Sequence, residues 1–184
     1  MKIPYLIVVA ICPVFFVSCG SQPKYTEQVN SLDSLRIELD KNLAVFSSID
    51  TAKISRYTKT YSGNVSWIEQ NIKDTVSKEY LNALKNYRGV NEPLLFIKAN
   101  YANMIKDAEF SKQQLSKLSS DMKNKAIDDE KAYEYYTVEK MEAKKIMESL
   151  TMNHQLTRQS IDTFDKYNSE IEKLINKYKN ESGK

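Results

Sequence analysis

Apolar residues recur every three or four positions through almost the whole chain beyond residue 25. Leu32, Leu35, Leu39, Leu43 and Phe46 step in this way, and Ile54, Tyr57, Tyr61, Val65, Ile68 and Ile72 continue it. Leu94, Ile97, Tyr101, Met104, Ala108, Ser111, Leu115, Leu118 and Met122 form a second seam, and Met147, Leu150, His154, Thr157, Ile161, Phe164, Asn168, Ile171, Ile175 and Tyr178 a third. This is the period of a helix that buries one stripe, and the strict 3-4 alternation is that of a coiled-coil-like seam. Between Tyr25 and Tyr178 only Gly63, Gly89 and Pro93 would weaken a helix, too few for a strand-and-turn protein.

Two short polar breaks divide the pattern. Lys73-Asp74-Thr75-Val76 leads into Ser77, a predicted N-cap, with Val76 and Leu81 placed to staple it. Lys123-Asn124-Lys125-Ala126-Ile127 leads into Asp128 as a second cap, with Asp129 and Glu130 in the first turn, where the helix dipole favours acids. The predicted helices span about 26–72, 77–123 and 128–179. Loops this short return the chain beside itself, so the fold class is all-α: an elongated antiparallel up-down-up three-helix bundle. Its topology is similar to that of a spectrin repeat, a likeness of shape that carries no function. A four- or five-helix bundle is the alternative, with added breaks at Ser47-Ser48-Ile49-Asp50 and from Gly89 to Pro93.

The antiparallel arrangement sets heights. It places Gly63 level with Asn86, within a turn of Gly89, and suggests a bend or close approach there. It also gathers Asp50, Ala99 and Asn153–His154 into one layer. A carboxylate on an apolar stripe costs several kcal/mol unless partnered. A buried or half-buried polar contact between Asp50 and His154 is therefore expected to pin the bundle.

The first residues follow another rule. Lys2, an uncharged apolar run from Ile3 to Val17 and the small Ser18 have the layout of a secretory signal peptide over 1–18. The run is short for a membrane span of about 20 residues and holds Pro4 and Pro13. Phe16-Val17-Ser18-Cys19 resembles the lipobox of bacterial lipoproteins, with Phe16 where Leu is usual. The resemblance implies cleavage before Cys19, acylation of its thiol and a membrane held through that lipid. Residues 19–24 then form a short tether and 25–180 a single helical domain. Gly20 rather than Asp after the cysteine, by the same resemblance, implies an outer-membrane address facing the periplasm. Cys12 leaves with the signal, so the mature chain has no disulfide to rely on.

Charge and candidate chemistry narrow the function classes. The chain has 27 basic and 24 acidic residues, finely mixed, a balance that implies no nucleic-acid partner. His154 is the only histidine and no spare thiol accompanies it, so no metal site and no cofactor is expected. No G-x-S-x-G elbow, phosphate loop or dinucleotide fingerprint occurs. Glu139 with Glu142, and Glu170 with Glu172, stand among Lys140, Lys144, Lys145 and Lys173 and read as solvated, ion-paired faces. No enzyme is expected. Tyr133, Tyr135 and Tyr136 cluster near the start of the third helix, where tyrosine fills the margin of a narrow bundle or meets a partner. The reading is an envelope lipoprotein whose helical rod acts as a scaffold or adaptor for another envelope protein or a cell-wall polymer. A holdase for unfolded envelope proteins is the alternative.

Overall fold

The computed structural model describes residues 24–72 and 77–182. Among the described residues five helices follow in order: α1 Thr26–Ser47, α2 Thr51–Asn71, α3 Lys78–Arg88, α4 Asn91–Lys123 and α5 Asp129–Ser182. No strand occurs among the described residues. The protein is all-α, and the two added breaks lie where the four- or five-helix alternative put them. The α5 helix, 54 residues long, extends about 80 Å at 1.5 Å per residue.

Each break has a local cause. After α1, Ser48 Oγ donates to Val45 O and the amides of Ser48 and Ile49 take short three-residue bonds to Val45 O and Phe46 O. Asp50 then accepts the Lys53 amide at 2.8 Å and caps α2. The step lets Ile49 turn inward and stay buried, so the core is not interrupted. Between α3 and α4, Pro93 has no amide for the Gly89 carbonyl and its ring would crowd it. The chain passes through three-residue bonds from Gly89 and Val90 to Asn86 O and Tyr87 O, then restarts with Pro93 inside the first turn. A Cβ at Gly63 would meet nothing within 4 Å, so no close approach occurs there, and α2 continues through it, whereas α3 ends at Gly89.

The α4–α5 connection ends α4 in a Schellman motif: Ala126 N–H reaches Asp121 O and Lys125 N–H reaches Met122 O. Lys125 carries the positive φ, 53°, that this motif asks of its C′ residue and that glycine adopts most cheaply. Asp128 caps α5 through the Lys131 amide at 3.2 Å. Ser77 stands before α3 without a side-chain cap bond, and Val76, its proposed staple, lies outside the described residues.

One hydrophobic core runs through the molecule. In one half α1, α4 and α5 pack against each other on Leu32, Leu39, Phe46, Leu115, Met122 and Leu150, all 2% exposed or less. Each such side chain contributes about 1.5–3 kcal/mol by leaving water. In the other half α5 continues against α2 and α3, and α2 against α4. There aromatic rings join Ile54, Ile68, Ala83 and Val90 in the core: Tyr61, Tyr87, Phe164 and Tyr57 form a run with centroids 5.1, 5.4 and 4.0 Å apart.

Candidate functional site

Cys19, the one residue with a chemically specific role in the sequence reading, lies outside the described residues. The chain enters the bundle just after it. Lys24 and Tyr25 both bond the Asp129 carboxylate at the start of α5, so the beginnings of α1 and α5 are held together at one end. No helix among the described residues is long and apolar enough to cross a membrane.

Asp50 and His154 share a groove between the α1–α2 arm and α5. Its upper segment, about 670 Å³, is lined by Val45, Ser48 and Asp50 on one side and His154, Arg158 and Ile161 on the other. Asp50 is exposed and its carboxylate is turned to the α2 amides, while His154 is half-buried. No hydrogen bond or ion pair joins the two among the described residues. The expected polar layer therefore becomes a shared groove wall. The physical reason is the break at Ser48: it lifts Asp50 off the apolar stripe and gives the inward position to Ile49, so the carboxylate stays in water and caps a helix.

The groove continues toward the beginnings of α1 and α5 between Lys41, Asn42 and Val45 of α1 and Thr151, His154 and Gln155 of α5. Thr151 donates to Asn42 Oδ1 at 2.8 Å across it. Farther down, Glu38 faces Lys144, Glu148 and Met152. Acids, bases and amides alternate along this open channel and do not converge on a point. Among the described residues no group of three or more His, Cys, Asp or Glu side chains is arranged to hold a metal ion.

Of the tyrosine cluster, Tyr133 and Tyr135 are 61% and 46% exposed, whereas Tyr136 folds back onto α1. Its hydroxyl donates to Ser31 Oγ at 3.0 Å and accepts from Lys140 at 3.2 Å. The Ser31 bond, with Lys140 beside it, lowers the phenol below its ordinary value against the opposing effect of burial. Glu139 lies half-buried in the cleft between α4 and α5 with Ile127 and Tyr135. Burial, then Glu142, raises its carboxyl above the usual range. Glu142 is bonded to Lys145 at 2.8 Å, and Glu172 accepts from Asn168 at 2.8 Å. Both acids are thus engaged with neighbours on their own helix.

Sequence reasoning missed the most organised polar cluster. Tyr87 is fully buried, and its hydroxyl donates to Asn168 Oδ1 at 2.8 Å while accepting from Asn64 Nδ2 at 3.1 Å. The same Asn64 amide reaches Asn168 Oδ1 at 3.1 Å. Burial pushes the Tyr87 phenol up to about 12. Beside it, Tyr57 bonds Asp165, which also holds Lys53 at 3.1 Å. The available signal was Asn168 on an apolar stripe and the equal height expected for Gly63 and Gly89, which does bring Asn64 to Tyr87. These bonds join α2, α3 and α5.

Comparison with known proteins returns no matching family, no matching curated protein and no matching solved structure.

Proposed function

We propose that the protein is an envelope lipoprotein, anchored through acylated Cys19, whose helical domain acts as a scaffold or adaptor for another envelope protein or a cell-wall polymer. The observation that carries this reading is the lipobox-like Phe16-Val17-Ser18-Cys19 at the end of a basic-then-apolar leader. The tether from Gly20 to Lys24 spans at most about 18 Å. With α1 and α5 starting side by side, it would hold one end of the bundle near the lipid headgroups and aim the other away.

In this reading the five helices act as three arms, α1–α2, α3–α4 and α5, with the up-down-up course of a spectrin-like rod. A rod of this kind offers flanks and open grooves, which suit extended partners better than small enclosed ligands. The implied address is the outer membrane, facing the periplasm, by the Gly20 sorting resemblance.

The alternative, a holdase, draws on exposed apolar side chains, among them Phe96 and Phe110 of α4 and Val138, Met141, Met152 and Leu156 of α5. Lys145 and Glu148 interrupt the α5 set, so it falls into two small pairs rather than one patch. That division favours the scaffold.

Mass spectrometry of the N-terminal peptide and membrane fractionation test the anchor. A diacyl- or triacyl-modified Cys19 is expected, with Cys19→Ala released from the membrane fraction; an unmodified Cys19 in a soluble protein overturns it. In-cell crosslinking tests the role. A partner set that is present for the wild type and lost in Cys19→Ala supports an anchored adaptor, and an empty set in both ends that reading. Suppression of client-protein aggregation by the purified chain would move the choice to the holdase.

A further inference from the structure

Where helices of this bundle meet, lysines at the seam generally face acids. Lys112 reaches Asp40 at 2.8 Å, Lys123 reaches Asp33 at 3.0 Å and Lys53 reaches Asp165 at 3.1 Å. The seam between α2 and α4 departs from this. Its groove, about 540 Å³, is lined by Arg56 and Lys59 from α2 and Lys98 from α4, with Ser55, Thr58 and Leu95 between them. No acid lines it, and none of the three cations has an ion pair among the described residues. Like charges facing each other across a seam repel.

The surrounding sequence reinforces the imbalance. From Thr51 to Ile68 the α2 helix has no acidic residue. Asp50 before it is occupied with the Lys53 amide, and Glu69 after it pairs with Arg88. On α4 the nearest acids, Glu92 and Asp107, lie outside the groove lining. Arg56 and Lys59 are one helical turn apart, about 5–6 Å between their Cβ atoms. The Thr58 hydroxyl is committed to Ser55 O at 3.1 Å and the Ser62 hydroxyl to Thr58 O at 2.9 Å. Ser55 makes no such bond and keeps a free donor beside Arg56. Leu95, 44% exposed, forms an apolar wall against which a polymer backbone could lie.

We propose that the α2–α4 groove binds a linear polyanion with closely spaced phosphate or carboxylate groups. Arg56 takes an oxyanion through its planar fork, Lys59 and Lys98 neutralise the neighbouring charges, and Ser55 donates to the same chain. A bound anion would also relieve the repulsion between the two sides of the seam. The groove is open along its length, which suits a polymer passing through rather than a single captured ion. The inference deepens the adaptor reading and rests on it for its setting. Binding by purified protein is nevertheless independent of lipid attachment, so it can fail while the anchor stands, or the reverse.

The test uses protein expressed from Met1 and extracted in non-ionic detergent, titrated calorimetrically with inorganic polyphosphate and with polygalacturonate at several salt concentrations. Arg56→Gln/Lys59→Gln/Lys98→Gln is expected to weaken binding of either polymer at least tenfold. It should also make the slope of log affinity against log salt shallower by about two to three, one counterion per cation removed. The charge-matched Lys117→Gln/Lys173→Gln/Lys177→Gln, changed at exposed positions outside the groove, should stay within twofold of wild type. Helical circular dichroism must be unchanged in both. No binding by the wild type overturns the proposal, as does equal weakening in the two variants. Tighter binding of anionic phospholipid vesicles than of either polymer, lost in the groove variant, replaces the polymer with a lipid surface and likewise overturns it.

Discussion

The half of the bundle built on α1 and the half built on α2 hold together in different ways. Around α1 the core is mainly aliphatic: Leu32, Leu39, Leu115, Met122 and Leu150 interlock with Phe46 as the one buried ring on α1, and polar contacts such as Asp33 with Ser119 and Lys123 lie at the margin. Lys123 bonded to Asp33 lowers that carboxyl below its usual range, a surface effect of limited energetic weight. Around α2 and α3 rings and amides join aliphatic side chains such as Ile54, Ile68, Ala83 and Val90, with Tyr87, Asn64 and Asn168 bonded among them. Leucines pack through area alone and tolerate small shifts, whereas a buried hydroxyl needs its partners at one distance. The first half should therefore hold most of the stability and the second should set which helices meet and at what height.

Truncation in the aliphatic half should have the largest effect. Leu39→Ala is expected to cost about 2–5 kcal/mol in chemical denaturation. Because α2 packs less extensively than α1 on α4 and α5, amides of α2 and α3 should exchange hydrogen by partial opening while α1 stays protected. Equal protection in both halves would erase the distinction.

Alkaline pH should address the aromatic half. The folded chain keeps the Tyr87 proton up to about pH 12, whereas an unfolded tyrosine loses it near 10. Between those values the unfolded state binds fewer protons, so stability falls as pH rises. The contribution is complete below pH 10 and lost by pH 12, about 2–3 kcal/mol. Burial raises Tyr57 and Tyr61 as well, and both act in the same direction. Tyr87→Phe should remove its share of this slope and, by deleting the hydroxyl's bonds while Asn64 still reaches Asn168, cost about 1 kcal/mol at neutral pH. A pH profile identical to wild type would mean that Tyr87 is not buried as described.

Two smaller changes probe the connections between helices. Asp50→Ala should cost about 1 kcal/mol through loss of the α2 cap, and the same cost should appear in a His154→Ala background. A strong coupling between the two would restore the direct contact that the break at Ser48 removes. Lys125→Gly, at the positive φ of the α4 terminus, should stabilise by about 1 kcal/mol; no gain in thermal or urea melts would mean that the loop relaxes to suit lysine.

Much of this was legible along the chain, and the exceptions share a cause. The apolar stripes marked most buried positions of α1 and α4 because periodicity reports which face of a helix leaves water; they did not include Ala83, Tyr87 and Val90 around α3, nor Ala132 and Ala143 of α5. Asp128 was legible as a cap, since a cap needs only its own next turn. Pro93 and the serines before Asp50 marked breaks whose effect depended on whether the core could continue across them, which Ile49 and Val90 allow. Asp50 on its stripe and Asn168 on its own looked alike in the sequence, yet one faces water and the other sits in a core network.

Helical class, stripe, end signals and the lipobox-like leader are local properties, set by residues within a turn or two of one another, and the amino-acid order suffices for them. The Tyr87 network, the groove shared by Asp50 and His154, and the unpaired cations between α2 and α4 join residues 23 to 104 positions apart. Such neighbours exist only once the helices have settled at particular heights and rotations. A shift of one residue turns a helix by about 100°, and that rotation decides whether a polar side chain meets a partner, another cation or water.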